Sequence, residues 1–128
     1  MASSAPLPSF ARPKSYPTGP RPVSIAINDL DGDRKADLAT GNVGGISVLL
    51  NKGDGGFQTS RQYAIDTGGG RVAAGDLNGD GIADLATASA GGISVLLNTG
   101  DGSLGAKRDY RTPRTASGVA IGDLNGDG

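Results

Sequence analysis

Cysteine, histidine, glutamate and tryptophan are all missing from this 128-residue chain. Without cysteine there is no disulfide framework and no thiolate chemistry; the compartment stays open, because a secreted repeat stapled by metal can do without disulfides. Without histidine the Ser-His-Asp and Cys-His arrangements and nearly all zinc chemistry are excluded. Ser, Thr and Lys are present, but no motif sets a base beside any of them, so the chain is read as a non-enzyme. A formal net charge of −1 gives no polycationic surface for nucleic acid or an anionic membrane. No membrane insertion is expected of such short apolar runs. Arg61, Lys107, Arg108 and Arg111 fall on outer strands, where solubility explains them better than a polyanion site does.

The missing glutamate points to what is there. All 13 acidic residues are Asp, and nine of them (Asp29, Asp31, Asp33, Asp37, Asp76, Asp80, Asp84, Asp123 and Asp127) lie in three copies of one loop. The copies read Asp29-Leu30-Asp31-Gly32-Asp33-Arg34-Lys35-Ala36-Asp37, Asp76-Leu77-Asn78-Gly79-Asp80-Gly81-Ile82-Ala83-Asp84 and Asp123-Leu124-Asn125-Gly126-Asp127-Gly128, and each starts 47 residues after the last.

Oxygen side chains fall at positions 1, 3, 5 and 9 of the loop, and position 7 (Lys35 or Ile82) offers a backbone carbonyl. Calcium takes roughly 6–8 oxygen ligands at about 2.3–2.6 Å, which a tightly curled loop can supply from alternate residues. Gly79 and Gly81 allow the positive φ values that such curling demands. The loops are therefore read as calcium sites. The first comprises Asp29, Asp31, Asp33, Lys35 and Asp37, the second Asp76, Asn78, Asp80, Ile82 and Asp84, and a truncated third Asp123, Asn125 and Asp127. Without a cation the carboxylates repel, and the loop should be loose. Arg34 and Lys35 put two positive charges beside the first site, which should weaken it. Asp, Asn and Gly are also ordinary turn residues, but a turn does not require an aspartate in register at position 9. An EF-hand or dockerin-like unit needs a helix and an acid at position 12, where Thr40 or Thr87 stands.

Twenty-three glycines between short apolar runs imply many tight turns between strands and little helix. Residues 1–9 are expected to be a disordered leader, without the basic start and apolar core of a signal peptide. Residues 10–22 are read as the last strand of an incomplete blade, residues 23–69 as a blade with the first calcium loop, residues 70–116 as a blade with the second, and residues 117–128 as the start of a further blade with the truncated loop. The period of two in Val23, Ile25 and Ile27 marks the first strand; strands follow at 36–40, 46–51 and 57–66. The second unit repeats them at 72–75, 83–87, 93–98 and 107–111, and 119–122 begins a third. Four antiparallel strands repeated every 47 residues are the signature of a β-propeller blade. The fold class is thus all-β, with ten strands or about two and a half blades. An open stack of small sheets or a sandwich would not need the strict period.

These loops, followed by Ile-Ser-Val-Leu-Leu-Asn and Gly-Asp-Gly-x-Phe/Leu, resemble FG-GAP or VCBS-type repeats, the blades of integrin α-subunit propellers and of many secreted proteins. The resemblance implies a propeller, typically seven-bladed, with Ca2+ in the hairpin joining the first two strands of a blade. It also implies an extracellular, non-catalytic scaffold for protein recognition or adhesion. The chain would then be a fragment of a larger propeller, or several chains would assemble as a homo-oligomer completing the ring. Carbohydrate binding, as a lectin or an accessory module of a secreted enzyme, is the second reading. Sugar sites usually stack rings on exposed aromatics, however, and Phe10, Tyr16, Phe57, Tyr63 and Tyr110 all fall in repeat register, as blade packing would place them.

Overall fold

Alternation and turn chemistry divide the chain into two like sheets. The computed structural model describes residues 5–65 and 70–128. Its strands are β1 (Ser24–Asn28), β2 (Asp37–Asn42), β3 (Gly45–Leu49), β4 (Arg61–Ala64), β5 (Val72–Gly75), β6 (Asp84–Ser89), β7 (Gly92–Leu96) and β8 (Arg108–Tyr110). They form two four-stranded sheets in the orders β1-β2-β3-β4 and β5-β6-β7-β8, every neighbouring pair antiparallel. The 47-residue period survives in the register: Thr40 pairs with Ser47 between β2 and β3, and Thr87 with Ser94 between β6 and β7. No helix occurs among the described residues.

Two expected strands do not form. Residues 10–18 have no strand pairing. Pro13 and Pro17 have no N–H to donate to a ladder, and no strand among the described residues runs beside this segment. It packs instead through Tyr16, whose ring meets Phe57 edge-on at a centroid distance of 5.3 Å, and through Gly19, whose N–H donates to Ser47 Oγ at 2.9 Å. Phe10 is fully exposed, so its repeat register does not translate into packing. Residues 119–122 are likewise unpaired, although Ile121 lies against Gly75 of β5, where a Cβ would meet its side chain at 2.6 Å. The outer strands are also shorter than expected. The ends of the expected leader (residues 1–4) and fourth strand (Asp66) lie outside the described residues.

The two sheets stack face to face around one core. Ile46, Val48 and Leu50 from the first sheet meet Val72, Leu85 and Leu96 from the second, with Leu30 and Ile65 closing the ends. Each such aliphatic side chain contributes about 1.5–3 kcal/mol on burial. The inner strands approach closely enough for a single hydroxyl to join them: Ser24 Oγ accepts the Val72 N–H at 2.8 Å. Gly41 is required at this junction, because a Cβ there would stand 1.8 Å from the Gly70 carbonyl oxygen.

Inside each sheet a polar chain ties the two central strands to the outer one. In the first, Thr40 Oγ1 donates to Asn42 Oδ1 at 3.0 Å, Asn42 Nδ2 donates to Ser47 Oγ at 2.6 Å, and Ser47 Oγ donates to Gln62 Oε1 at 2.8 Å. In the second sheet Ser89 and Asp109 replace Asn42 and Gln62. Ser94 still donates to Asp109 at 2.6 Å, but the Ser89 hydroxyl donates to the Gly92 carbonyl at 3.5 Å, and the buried Thr87 hydroxyl has no partner among the described residues. A buried unsatisfied polar group costs about 1–3 kcal/mol. Ser89→Asn should therefore restore the chain and stabilise the protein by about 1 kcal/mol, read as a raised urea midpoint at unchanged slope. An unshifted midpoint would mean that the Thr87 hydroxyl is already satisfied, for example by a buried water.

Candidate metal centre

The connections β1–β2 and β5–β6 hold the first two aspartate loops, and the segment after Ile121 holds the third. All three fold alike. The first-position carboxylate gathers backbone N–H groups: Asp29 accepts from Gly32 and Arg34, both at 2.7 Å. Asp76 accepts from Asn78, Gly79 and Gly81, and Asp123 from Asn125, Gly126 and Gly128. The third- and fifth-position side chains each accept the N–H two residues on, Asp31 from Asp33 and Asp33 from Lys35, then Asn78 from Asp80 and Asp80 from Ile82. Lys35 and Ile82, expected for their carbonyls, thus also donate to the fifth-position carboxylate. In the third loop Asn125 accepts from Asp127 and its amide donates back to the Asp127 carboxylate. The loops expected to be loose are internally hydrogen-bonded, because backbone N–H dipoles offset part of the carboxylate repulsion.

Position 9 does something more. Asp37 and Asp84 are completely buried, and both oxygens of each accept a backbone N–H. Asp37 takes Leu30 at 2.7 Å and Asn51 at 2.8 Å; Asp84 takes Leu77 and Asn98, both at 2.8 Å. One carboxylate thus pins the start of the loop to the end of the third strand. Asn98 extends the tie between sheets, donating from Nδ2 to the Leu30 carbonyl at 2.7 Å and to Ala83 at 2.9 Å. Neither role was read from the sequence. The available signal was that Asn51 and Asn98 recur 47 residues apart directly after Leu-Leu.

Carboxylate oxygens of Asp29, Asp31 and Asp37 lie within 4.8 Å of one another. Oxygens about 2.3–2.6 Å from one calcium stand at most about 5 Å apart, so these three fit around a single ion. Asp33 is drawn elsewhere: its Oδ2 pairs with Lys35 Nζ at 2.9 Å. The expected weakening of this loop therefore has a specific contact in Lys35. Arg34 adds backbone strain, with φ at +65° where the second loop has Gly81 at +80°. A left-handed conformation costs a side-chain-bearing residue roughly 1–2 kcal/mol.

Acidity differs between the loops. Hydrogen bonds from backbone N–H groups, Gly81 foremost, hold the Asp76 carboxyl below its usual range, and Gly128 leads the same effect on Asp123. The charged forms thus stabilise their loops above the ordinary carboxylate pKa, and that stabilisation is lost as acid protonates them. Asp31 is shifted the other way, chiefly by desolvation, with the charges of Asp37 and Asp33 adding to it. Charging Asp31 therefore costs free energy that a bound cation would offset.

Antiparallel four-stranded meanders stacked face to face, with a carboxylate loop between their first two strands, define blades of a β-propeller. A family model described as FG-GAP-like repeat matches residues 29–87 and 76–128. The chain belongs to the FG-GAP-like repeat family, whose repeats are propeller blades and typical of extracellular or secreted proteins. No curated protein and no solved structure matches it.

Asp84→Ala should destabilise the protein by about 2–6 kcal/mol in chelator, because it strands two N–H groups at about 1–3 kcal/mol each. Asp80→Ala, which removes an acceptor at the exposed edge of the same loop, should cost far less. Equal losses in chemical denaturation would contradict the pinning role of Asp84.

Proposed function

We propose that the chain is a calcium-stabilised, non-catalytic propeller scaffold that acts outside the cell in protein recognition or adhesion. The observation that carries the calcium reading is the convergence of Asp29, Asp31 and Asp37 on one point. In the second loop Asp76, Asn78, Asp80 and Asp84, with the Ile82 carbonyl, would hold the ion; in the third, Asp123, Asn125 and Asp127. Calcium supplies positive charge that lets the carboxylates stay ionised together, and so fixes the hairpin at the inner end of each blade. Family membership supports the scaffold role and the extracellular setting. The absence of His, Cys and Glu leaves only aspartates as carboxylic acids, most of them committed to these loops.

The same geometry supports a larger ring. Val72 and Ala74 of β5 pack against the first blade, whereas their counterparts Ile25 and Ile27 of β1 are 56% and 62% exposed. At the other end Ile93, Val95 and Leu97 are half-buried where Ile46, Val48 and Leu50 are buried. The chain thus offers the two complementary halves of its own blade interface, and further copies docking head to tail would cover both on every copy where the ring closes.

Calcium should raise the melting temperature by mass action on the native state and chelation should reverse the rise; superimposable scanning-calorimetry traces would remove the calcium reading. Light scattering should show self-association that Ile27→Lys abolishes. A wild-type monomer with intact calcium response would mean that the covering blade is not supplied by a second copy.

A further inference from the structure

Six asparagines occur in the chain, and only Asn78 and Asn125 are followed by glycine. Both stand at the third position of an aspartate loop, where the first loop has Asp31. We propose that Asn78 is a deamidation site, at which the amide is converted to isoaspartate or to aspartate, the residue that the first loop carries by sequence.

The step needs only water. The Gly79 nitrogen attacks Cγ of Asn78, forming an N–Cγ bond as its proton passes to base; water delivers a proton to Nδ2, the Cγ–Nδ2 bond breaks and ammonia leaves, giving a cyclic imide. Water then opens the ring. Cleavage of the new N–Cγ bond yields aspartate, while cleavage at the main-chain carbonyl yields isoaspartate. Ring closure is easiest where the following residue has no side chain to crowd the attack, and nothing lies within 4 Å of the place a Gly79 Cβ would occupy. Asn78 and Gly79 are both exposed to water. The Gly79 N–H already leans on a carboxylate, Asp76 Oδ1, at 2.8 Å. Among the described residues the asparagine side chain is held by two contacts to Asp80, at 3.1 and 3.2 Å.

The aspartate product keeps one contact and loses another. Asn78 Oδ1 accepts the Asp80 N–H at 3.2 Å, as Asp31 Oδ1 accepts the Asp33 N–H at 3.1 Å, but the oxygen that replaces Nδ2 would face the Asp80 carboxylate where the amide now donates at 3.1 Å, a repulsion that a cation would relieve. A carboxylate at position 78 would give the second loop four aspartates at positions 1, 3, 5 and 9, the set Asp29, Asp31, Asp33 and Asp37 of the first. Isoaspartate would route the backbone through one extra carbon and move Asp80 out of register. The consequence for cation affinity rests on the calcium reading; the conversion itself does not.

The test is incubation of the full chain at mildly alkaline pH, in chelator and in calcium, followed by peptide mapping and isoaspartate detection. In chelator the peptide containing Asn78 should gain the mass difference between amide and acid, while that containing Asn28, which is also exposed but precedes Asp29, should not. Calcium should slow the conversion severalfold by holding the side chain. Conversion at Asn28 as fast as at Asn78, or none at Asn78 when a synthetic peptide of residues 75–84 converts, would overturn the proposal. Conversion that proceeds equally in both arms, with no melting response to calcium, would sink the calcium reading and leave the modification site standing. A melting response with an inert Asn78 would do the reverse.

Discussion

A buried carboxylate holds each blade together. Asp37 and Asp84 sit where no solvent reaches, and an isolated charge there would cost several kcal/mol. Each is tolerated because both its oxygens receive main-chain N–H groups, one from the start of its loop and one from the end of the third strand. The loop cannot swing away from the sheet without breaking two charge-assisted hydrogen bonds, which are stronger than neutral ones. In the first loop Asp29 and Asp31 are consequently presented beside Asp37.

Around that fixed point the energetics divide. Apolar burial holds sheet to sheet, and it is generous only where a blade has a neighbour: the forward face of the first sheet is dry, while that of the second is partly wet. Polar ties set the spacing, through Ser24 across the inner strands and Asn98 across the loop. The Ser24 tie depends on a short side chain at a site of close backbone approach, which is why Gly41 stands beside it.

The two complete loops are not equivalent. The first has a full set of aspartates but spends one on Lys35 and strains its backbone at Arg34; the second has glycine in the strained position and an amide in place of a carboxylate. Each departs from an ideal acidic loop in a different term, charge competition in one and charge deficit in the other. Asn78, as a residue that chemistry can turn into the missing carboxylate, links the two.

Much of this was legible in the residues. A strict 47-residue period, alternating apolar positions and an aspartate at the ninth position of both complete loops determined the all-β class, the four-stranded unit and the place of the loops, because side-chain alternation and turn chemistry are local properties. The sequence also overcounted strands at 10–18 and 119–122, since a strand exists only where another offers its N–H and C=O groups, and pairing is not local. Tertiary structure alone decided that Asp37 and Asp84 pin their loops to the third strand, that Asn98 bridges two blades, that Lys35 claims Asp33, and that the Thr87 hydroxyl lies unpartnered among the described residues. Those facts turn on which atoms fall within about 3 Å of one another after distant segments meet, and no pattern along the chain encodes that distance.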